Sequence, residues 1–213
     1  GKDVAEAIRS QDAEVIPKML PDSAWSQISP SLFEAFYSHS LYDFYFPESS
    51  YKSEISRLKK EEERLERQKL NQPGMEFTRA DEAELERVND VIDELSQDMD
   101  IQREHCDAVH DRVLEKSKNF FLSKVVSVES VQCLLTHCIY PRCTLSPDDA
   151  MYCSHFMYML HEMETPGFSI LHYLEELINV IRGALYCSTE GEAASLGILL
   201  LETWKIISRW RYE

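Results

Sequence analysis

The chain has 213 residues, with 22 Lys and Arg against 38 Asp and Glu, which gives a formal net charge of −16. Because phosphate binding needs a concentrated basic surface, this balance argues against direct nucleic-acid binding as the main role of the segment. The strongest apolar run, at residues 196–204, is far shorter than the roughly 18 residues that span a bilayer, so we expect a soluble chain with no membrane partner.

The six cysteines are predicted to be free thiols. No secretory signal peptide opens the sequence, so the reducing interior of a cell is the expected environment. A chain of this length buries a substantial core without disulfide bonds. The sequence starts at Gly1 without an initiator Met, and we therefore expect a fragment excised from a longer protein.

Residues 1–50 are predicted to form short helices, broken by prolines, that pack on the rest of the chain. Ser29 is a suitable N-cap, and Pro30 is well placed at the first helical position. Aromatic and aliphatic side chains then recur at helical spacing through residues 32–46, a density that is typical of a core. A ligand or peptide groove is the less favoured interpretation of this segment.

Residues 51–118 are predicted to form a protruding, charged, antiparallel helical hairpin of coiled-coil type. The breaker is Pro73-Gly74, and one helix of roughly 60 Å is expected over residues 79–118. This second helix carries a seam at alternating steps of three and four residues. Its members are Leu85, Val88, Ile92, Leu95, Met99, Gln102, Cys106, Val109 and Val113.

Charge suggests how the two arms of this hairpin meet. Residues 51–70 hold seven Lys or Arg against five Glu, whereas residues 75–111 hold three Arg against thirteen acids. We therefore expect a basic arm to face an acidic one. Two solvated helices without mutual contact, or a partly disordered insert, are the alternatives.

Residues 119–213 are predicted to form stacked antiparallel helix pairs in the manner of an α-solenoid, so the whole fold is predicted to be all-α. The helix after Ser127 is expected to stop at Pro141, and Ser146 with Pro147 should open the next one. Thr189 with Glu192 forms a possible capping box for the last helix. That helix is apolar nearly all round, so we expect it to pack on more than one side.

Residues 132–153 hold four cysteines and a histidine, which raises the question of a metal or redox site. Helical spacing places Val128, Val131, Leu135 and Cys138 on one apolar stripe, and Ala150, Cys153, Met157 and Leu160 on another. Cys138 and Cys153 are therefore predicted to be core residues. Cys133 and His137, four residues apart, are the one pair that could offer zinc ligands together. No catalytic residue, cofactor or metal ligand is assigned.

Several unusual strings stand in one order along the chain: LYDFYFPESSYKSEISRLKK at 41–60, CIYPRCTLSPDDAMYCSHF at 138–156, TPGFSILHYLE at 165–175, CSTEGEAASLG at 187–197 and ISRW at 207–210. With this order and spacing, residues 29–210 resemble the family of the largest subunits of the THO complex. The first 28 residues lie outside the resemblance.

The resemblance implies a non-catalytic, nuclear scaffold built as a long α-solenoid. It implies other THO subunits and the DEAD-box RNA helicase of the TREX assembly as partners, in a role that couples transcription to the packaging and export of mRNA. Nucleic acid would be reached mainly through the complex. A direct RNA-binding module or a zinc-stabilised helical module remains the alternative. Leu85, Ile92, Leu95 and Met99 are predicted to form an assembly surface that reaches beyond the hairpin itself.

Overall fold

A computed structural model describes residues 16–71 and 78–210, without the side chains of Asn71 and Trp210. Within these ranges every regular element is helical, which confirms the all-α prediction. An isolated antiparallel bridge joins Ile28 to Phe121. No helix in the described ranges has both the length and the apolarity that crossing a membrane requires.

The first described part of the chain consists of short helices. A 3₁₀ turn at Ile16–Lys18 precedes α1 (Asp22–Trp25), α2 (Pro30–Ser38) and α3 (Leu41–Phe44). The Ser29 hydroxyl accepts a hydrogen bond from the Leu32 N–H at 3.2 Å, with Pro30 in the first turn, so the predicted start of α2 is confirmed. Residues 1–15, where further helices were predicted, lie outside the described residues.

Two long helices follow, α4 (Glu48–Asn71) and α5 (Arg79–Ser117, 39 residues). Lys69 near the end of α4 pairs with Glu82 near the start of α5 at 3.9 Å, and Glu48 pairs with Arg103 at 3.1 Å. Because the end of α4 pairs with the start of α5, and the start of α4 pairs with a later part of α5, the two helices are antiparallel. The predicted breaker at Pro73-Gly74 lies outside the described residues.

The chain divides into two compact units. One comprises residues 46–108, and the other, called the main unit here, comprises residues 1–45 with 109–213. The predicted division into domains at residues 1–50, 51–118 and 119–213 stays a prediction. In the main unit, Val109 and Val113 from the last turns of α5 join the larger hydrophobic core, so this part of α5 packs apart from the apolar cluster that α5 shares with α4.

The next helical segment does not stop at Pro141, and that prediction is wrong. α6 (Val128–Leu134) continues into a π-helical stretch at Leu135–Ile139 and then into α7 (Tyr140–Cys143), which contains the proline. Pro141 has no N–H to donate to the carbonyl oxygen of His137 four residues earlier. The hydroxyl of Tyr37 donates to that oxygen at 3.1 Å instead. A π-helical turn placed before the proline lets the chain stay helical.

Val128 was predicted to belong to the buried stripe of α6, and this is also wrong: it is 40% exposed. It occupies the first position of the helix, directly after the Ser127 cap, where the chain enters from the surface. The other predicted members of that stripe, Val131, Leu135 and Cys138, are buried.

Three longer helices complete the fold: α8 (Pro147–Glu162), α9 (Ile170–Ala184) and α10 (Glu190–Trp210). α8 packs mainly against α10, and α9 mainly against α6. The predicted caps are confirmed. The Ser146 hydroxyl accepts from the Asp149 N–H at 3.1 Å, and the Glu192 carboxylate accepts from the Thr189 N–H at 2.8 Å.

α10 does not pack on more than one side within the described chain, so the prediction for this helix is wrong. Leu196, Leu199 and Ile206 are buried on the side that faces the core. Leu200, Leu201 and Trp204 are 38%, 51% and 68% exposed. The described residues supply a packing partner for one face of α10, mainly α8, and the apolar residues on the other side remain at the surface.

Candidate interaction surface

The hairpin of α4 and α5 has its own small apolar core. Leu58 and Leu65 of α4 are buried against Val88 and Ile92 of α5. Half-buried aliphatic side chains surround this cluster, namely Ile55, Leu85, Val91 and Leu95. The heptad spacing of α5 therefore serves first to bind α4, because aliphatic side chains at such positions face the partner helix.

The four predicted interaction residues occupy different environments. Ile92 is buried in the apolar core of the hairpin, and Leu85 and Leu95 are half-buried beside it. Met99 is half-buried one turn after Leu95, toward the end of α5 that leads out of the hairpin. Leu85, Ile92 and Leu95 thus share one cluster, to which Met99 does not belong.

Charges on the hairpin are paired mostly within one helix. In α4, Arg57 bonds to Glu54 at 2.6 Å, Arg67 bonds to Glu63 at 3.3 Å, and Arg64 bonds to Glu61. Intrahelical partners therefore take up much of the positive charge of α4 that was expected to face the acids of α5. The cross-arm pairs Lys69–Glu82 and Arg103–Glu48 stand at the two ends of the paired region.

The remaining acids of α5 make its outer surface negative. Asp90, Asp93, Glu94 and Asp98 are exposed along it. At the start of α5, the Asp81 carboxylate accepts hydrogen bonds from the hydroxyl and the N–H of Thr78, and these bonds lower the pKa of Asp81. This is a capping box, which fixes the first turn of the acidic helix.

Cys133 and His137, the candidate zinc ligands, line a surface cavity of about 340 Å³ between α1 and α6. The Cys133 thiol donates to the Ala24 carbonyl at 3.7 Å, and burial raises the pKa of this thiol. In residues 16–71 and 78–210, no group of three or more His, Cys, Asp or Glu side chains is placed to hold a metal ion. The cavity is open to solvent, whereas a structural zinc site is a closed cage of four ligands.

The other cysteines of this stretch are core residues. Cys138 and Cys153 are buried, as predicted, and so is Cys143, which sequence analysis left unassigned. Burial raises the pKa of all three thiols, that of Cys143 to about 12. A nucleophilic cysteine needs a lowered pKa, so these thiols fill space as small apolar groups.

Arg142 connects the segment 138–153 to α2 through polar contacts, a role that the sequence did not predict. Its guanidinium donates to the backbone carbonyls of Phe36 and His39 at the end of α2, the latter at 2.8 Å. It also pairs with Asp149 at 2.8 Å, and the side chain is 11% exposed. The Asp149 carboxylate in turn accepts from the Ser146 hydroxyl at 2.7 Å. Arg142 thus holds the end of α2 to the start of α8.

The described residues define an all-α protein whose distinctive features are paired helices and a charged helical hairpin. Sequence comparison assigns the family. The model of the Tho2 family, described as transcription factor/nuclear export subunit protein 2, matches residues 25–213. The chain belongs to this family.

Individual relatives are found in plants, animals and fungi. THO complex subunit 2 of Arabidopsis thaliana is 34% identical over 200 residues, which cover 93% of this chain and 11% of the relative. The Homo sapiens protein of the same name is 28% identical over 208 residues, which cover 98% of this chain and 13% of that protein. The Saccharomyces cerevisiae protein of that name is 24% identical over 194 residues, which cover 87% of this chain and 10% of that protein. The chain therefore spans only about a tenth of the length of these relatives.

Proposed function

We propose that this chain is a segment of a non-catalytic scaffold subunit of the THO complex. In this proposal the subunit organises other THO subunits and a DEAD-box RNA helicase within TREX, in the nucleus, for co-transcriptional mRNP assembly and mRNA export. The observation that carries the proposal is the family match over residues 25–213, which covers the hairpin and the helices of the main core together. The names of the relatives identify them as subunits of a complex.

The chemistry of the described residues supports a role without catalysis. The thiols of Cys133, Cys138, Cys143 and Cys153 all have raised pKa values, so they are protonated at neutral pH. Scaffolds act by extended surface and fixed spacing, for which paired helices are suited. The net charge of −16 and the exposed acids of α5 favour contact with nucleic acid through basic partner subunits rather than directly.

The assembly surface in this proposal is the hairpin, with Leu85, Ile92, Leu95 and Met99 as its interaction residues. Ile92 supports the surface indirectly, because its buried side chain holds α5 against α4. Met99 is the residue best placed to contact a partner directly, since it is half-buried beyond the four-residue apolar core of the hairpin. Methionine is adaptable and is favoured at interfaces that accept a partner helix.

The test compares two single variants in the reconstituted complex. Met99→Glu should keep the helicity of the chain at a small cost in thermal stability, because Met99 is half-buried, but it should weaken co-purification with other THO subunits. Gln97→Glu, at an exposed position on the same helix, adds the same charge and should change neither the stability of the chain nor its co-purification. If Met99→Glu assembles normally, and charge substitutions at Leu85, Ile92 and Leu95 that preserve the fold also assemble normally, then the hairpin is not the assembly surface.

A titration with single-stranded RNA separates the scaffold from the RNA-binding alternative. The chain alone should bind RNA weakly or not at all at 50 mM and at 150 mM salt. A direct RNA-binding module would instead bind at low salt, and its affinity would fall steeply as salt rises, because each neutralised phosphate releases counterions.

A further inference from the structure

The helix α9 carries an apolar stripe on the side that faces solvent. Its members are Leu171, Ile178 and Leu185, which follow one another at seven-residue steps and so lie along one side of the helix. They are 72%, 56% and 50% exposed, and half-buried Leu174 lies between the first two. The other side of α9, with Leu177, packs in the larger hydrophobic core. Contiguous exposed aliphatic side chains of this kind mark an interaction site.

Two opposite charges lie beside this stripe. Glu175 comes four residues after Leu171, and Arg182 comes four residues after Ile178, so both charges occupy the same flank of the helix. Both side chains are exposed, and the Arg182 guanidinium donates to the side-chain oxygen of Asn179 on its own helix at 2.7 Å. The flank is therefore negative in the first half of α9 and positive in the second half. Charges beside an apolar seam determine which helix binds and in which orientation.

This pattern of charge is complementary to its own reversed copy. When two antiparallel copies of α9 are related by a two-fold axis, each flank faces the same flank of the other copy. Positions equally far before and after the axis then lie side by side. Glu175 lies three positions before Ile178, and Arg182 lies four positions after it. An axis close to Ile178 therefore places Glu175 of each copy beside Arg182 of the other, and two ion pairs form together.

The apolar residues match in the same arrangement. Ile178 lies against its counterpart at the axis, and Leu171, seven residues before it, meets Leu185, seven residues after it. The backbone at Leu185 has φ of −57° and ψ of −29°, so this residue continues the helical path beyond Ala184. Tyr186, which is almost fully exposed, adds apolar surface at that end. The stripe and its charged flank thus fit a second copy in one and the same register.

We propose that the outer face of α9 is a dimer interface, at which a second copy of the chain binds antiparallel with Glu175 of each copy paired to Arg182 of the other. The charges identify this occupant, because α9 itself supplies both halves of the complementary pattern. The 15 residues of α9 make about four turns, and an interface of one helix per copy is smaller than the standard size of roughly 1,600 Å². The dimer therefore forms at micromolar concentrations. The proposal holds independently of the scaffold role.

Sedimentation equilibrium of the 213-residue chain tests the dimer through an exchange of charges. The wild-type chain should pass from monomer to dimer as its concentration rises through the micromolar range. Glu175→Arg and Arg182→Glu should each weaken dimerisation about tenfold or more, because each places like charges opposite one another at two symmetry-related contacts. An equimolar mixture of the two variants should dimerise as the wild type does, since opposite charges face each other again in the heterodimer. Glu115→Arg, exposed on α5, makes the same change in charge and should leave dimerisation unchanged.

Three results would overturn the proposal. The chain could stay monomeric throughout this range, or both variants could dimerise as tightly as the wild type, which would mean that another face joins the copies. The third is a loss in the single variants that the mixture does not restore. Melting curves by circular dichroism separate a lost contact from a lost fold, and all variants should melt at the wild-type temperature because the substituted side chains are exposed.

A disulfide across the axis gives an independent test of the register. The exposed native thiol of Cys187 is first removed by Cys187→Ser, and this chain sets the background. Ile178→Cys in that background should form a covalent dimer on mild oxidation, because the two copies of position 178 lie together at the axis. His172→Cys, exposed on α9 away from the stripe, should not. If Ile178→Cys crosslinks no more than His172→Cys does, α9 does not pair in this register and the proposal fails.

Discussion

The guanidinium carbon of Arg142 lies 3.6 Å from the centroid of the Tyr152 ring, and the Tyr152 hydroxyl donates to the Phe36 carbonyl at 2.8 Å. Arg142 donates to the same carbonyl. Two side chains from different helical segments therefore converge on the last turn of α2, one stacked on the other. A cation over an aromatic ring is stabilised further when both are removed from water, as they are here.

Arg142→Ala should destabilise the main unit by about 3 kcal/mol or more, since it leaves the half-buried Asp149 without its cation and removes a donor from two carbonyls. Arg142→Lys should recover only part of this loss, because an ammonium group cannot bond along two edges. Urea denaturation followed by circular dichroism measures both. Arg57→Ala, which removes an exposed pair with Glu54, is the matched control and should cost less than about 1 kcal/mol. Equal losses for Arg142→Ala and Arg57→Ala would show that the Arg142 cluster stabilises the fold no more than an exposed ion pair does.

Gly167→Ala should also destabilise the main unit, by about 2 kcal/mol or more. Gly167 has φ of +85°, a conformation that favours glycine, and an added Cβ would overlap the Ser123 carbonyl oxygen and lie 2.9 Å from the Phe121 Cβ. Gly183→Ala is the control. It lies within α9 with nothing within 4 Å of an added Cβ, so it should stabilise the chain by about 0.5–1 kcal/mol. A neutral Gly167→Ala would mean that the loop before α9 has room to move.

Leu65→Ala should loosen the hairpin, because it opens a cavity in the cluster that Leu65 forms with Leu58, Val88 and Ile92, all of them buried. The expected cost is about 2–3 kcal/mol, which corresponds to at least a tenfold faster amide hydrogen exchange in α4. Leu70→Ala, at an exposed position of the same helix, should leave exchange unchanged. Equal exchange rates in the two variants would argue against the packing of α4 on α5.

The stability of the main unit should fall as the pH drops below about 6.5, in part because of His155. Burial lowers the pKa of this histidine, with Glu202 opposing the shift and Arg209 adding to it, and its ring packs on Tyr45 at 4.6 Å. The unfolded chain therefore binds a proton at a higher pH than the folded one, so stability is complete above the unfolded pKa of about 6.5 and is lost below it.

The midpoints of urea unfolding at pH 7.5 and pH 5.5 measure the pH dependence of stability and the share of it that His155 contributes. His155→Phe should reduce the difference between the two midpoints, and His172→Gln, at an exposed position on α9, should not. An unchanged difference in His155→Phe would assign the pH dependence to other groups.

Features set by neighbouring residues could be predicted from the sequence. The caps Ser29, Ser146 and Thr189 depend on side chains within three residues of each helix start, and all three lie where the sequence indicated. The apolar core of the hairpin follows in the same way from the spacing of Val88 and Ile92. Cys138 and Cys153 are buried as the helical stripes predicted.

Features that depend on contacts across the chain could not be predicted in this way. Pro141 lies inside a helix, and the His137 carbonyl, which cannot accept from a Pro141 N–H, accepts from the hydroxyl of Tyr37, a hundred positions before His137. The role of Arg142 could not be predicted for the same reason, because its guanidinium donates to the His39 carbonyl, which lies 103 positions earlier at the end of α2. On α10 the residues are as apolar as expected, but an apolar pattern does not say whether its partner lies in the same segment.

The central proposal, that the helical hairpin of this segment is an assembly surface of a THO complex subunit, is tested most directly by replacing residues 52–99 with a short Gly-Ser linker. The side chains of Glu48 and Arg103 meet at 3.1 Å, so a short linker can join the two ends. The measurement is the mass, by light scattering, of the complex reconstituted from the natural-length protein and the other THO subunits. We expect the main unit to keep its melting temperature and the complex to lose at least one subunit. A complex of full composition and wild-type stability would contradict the claim.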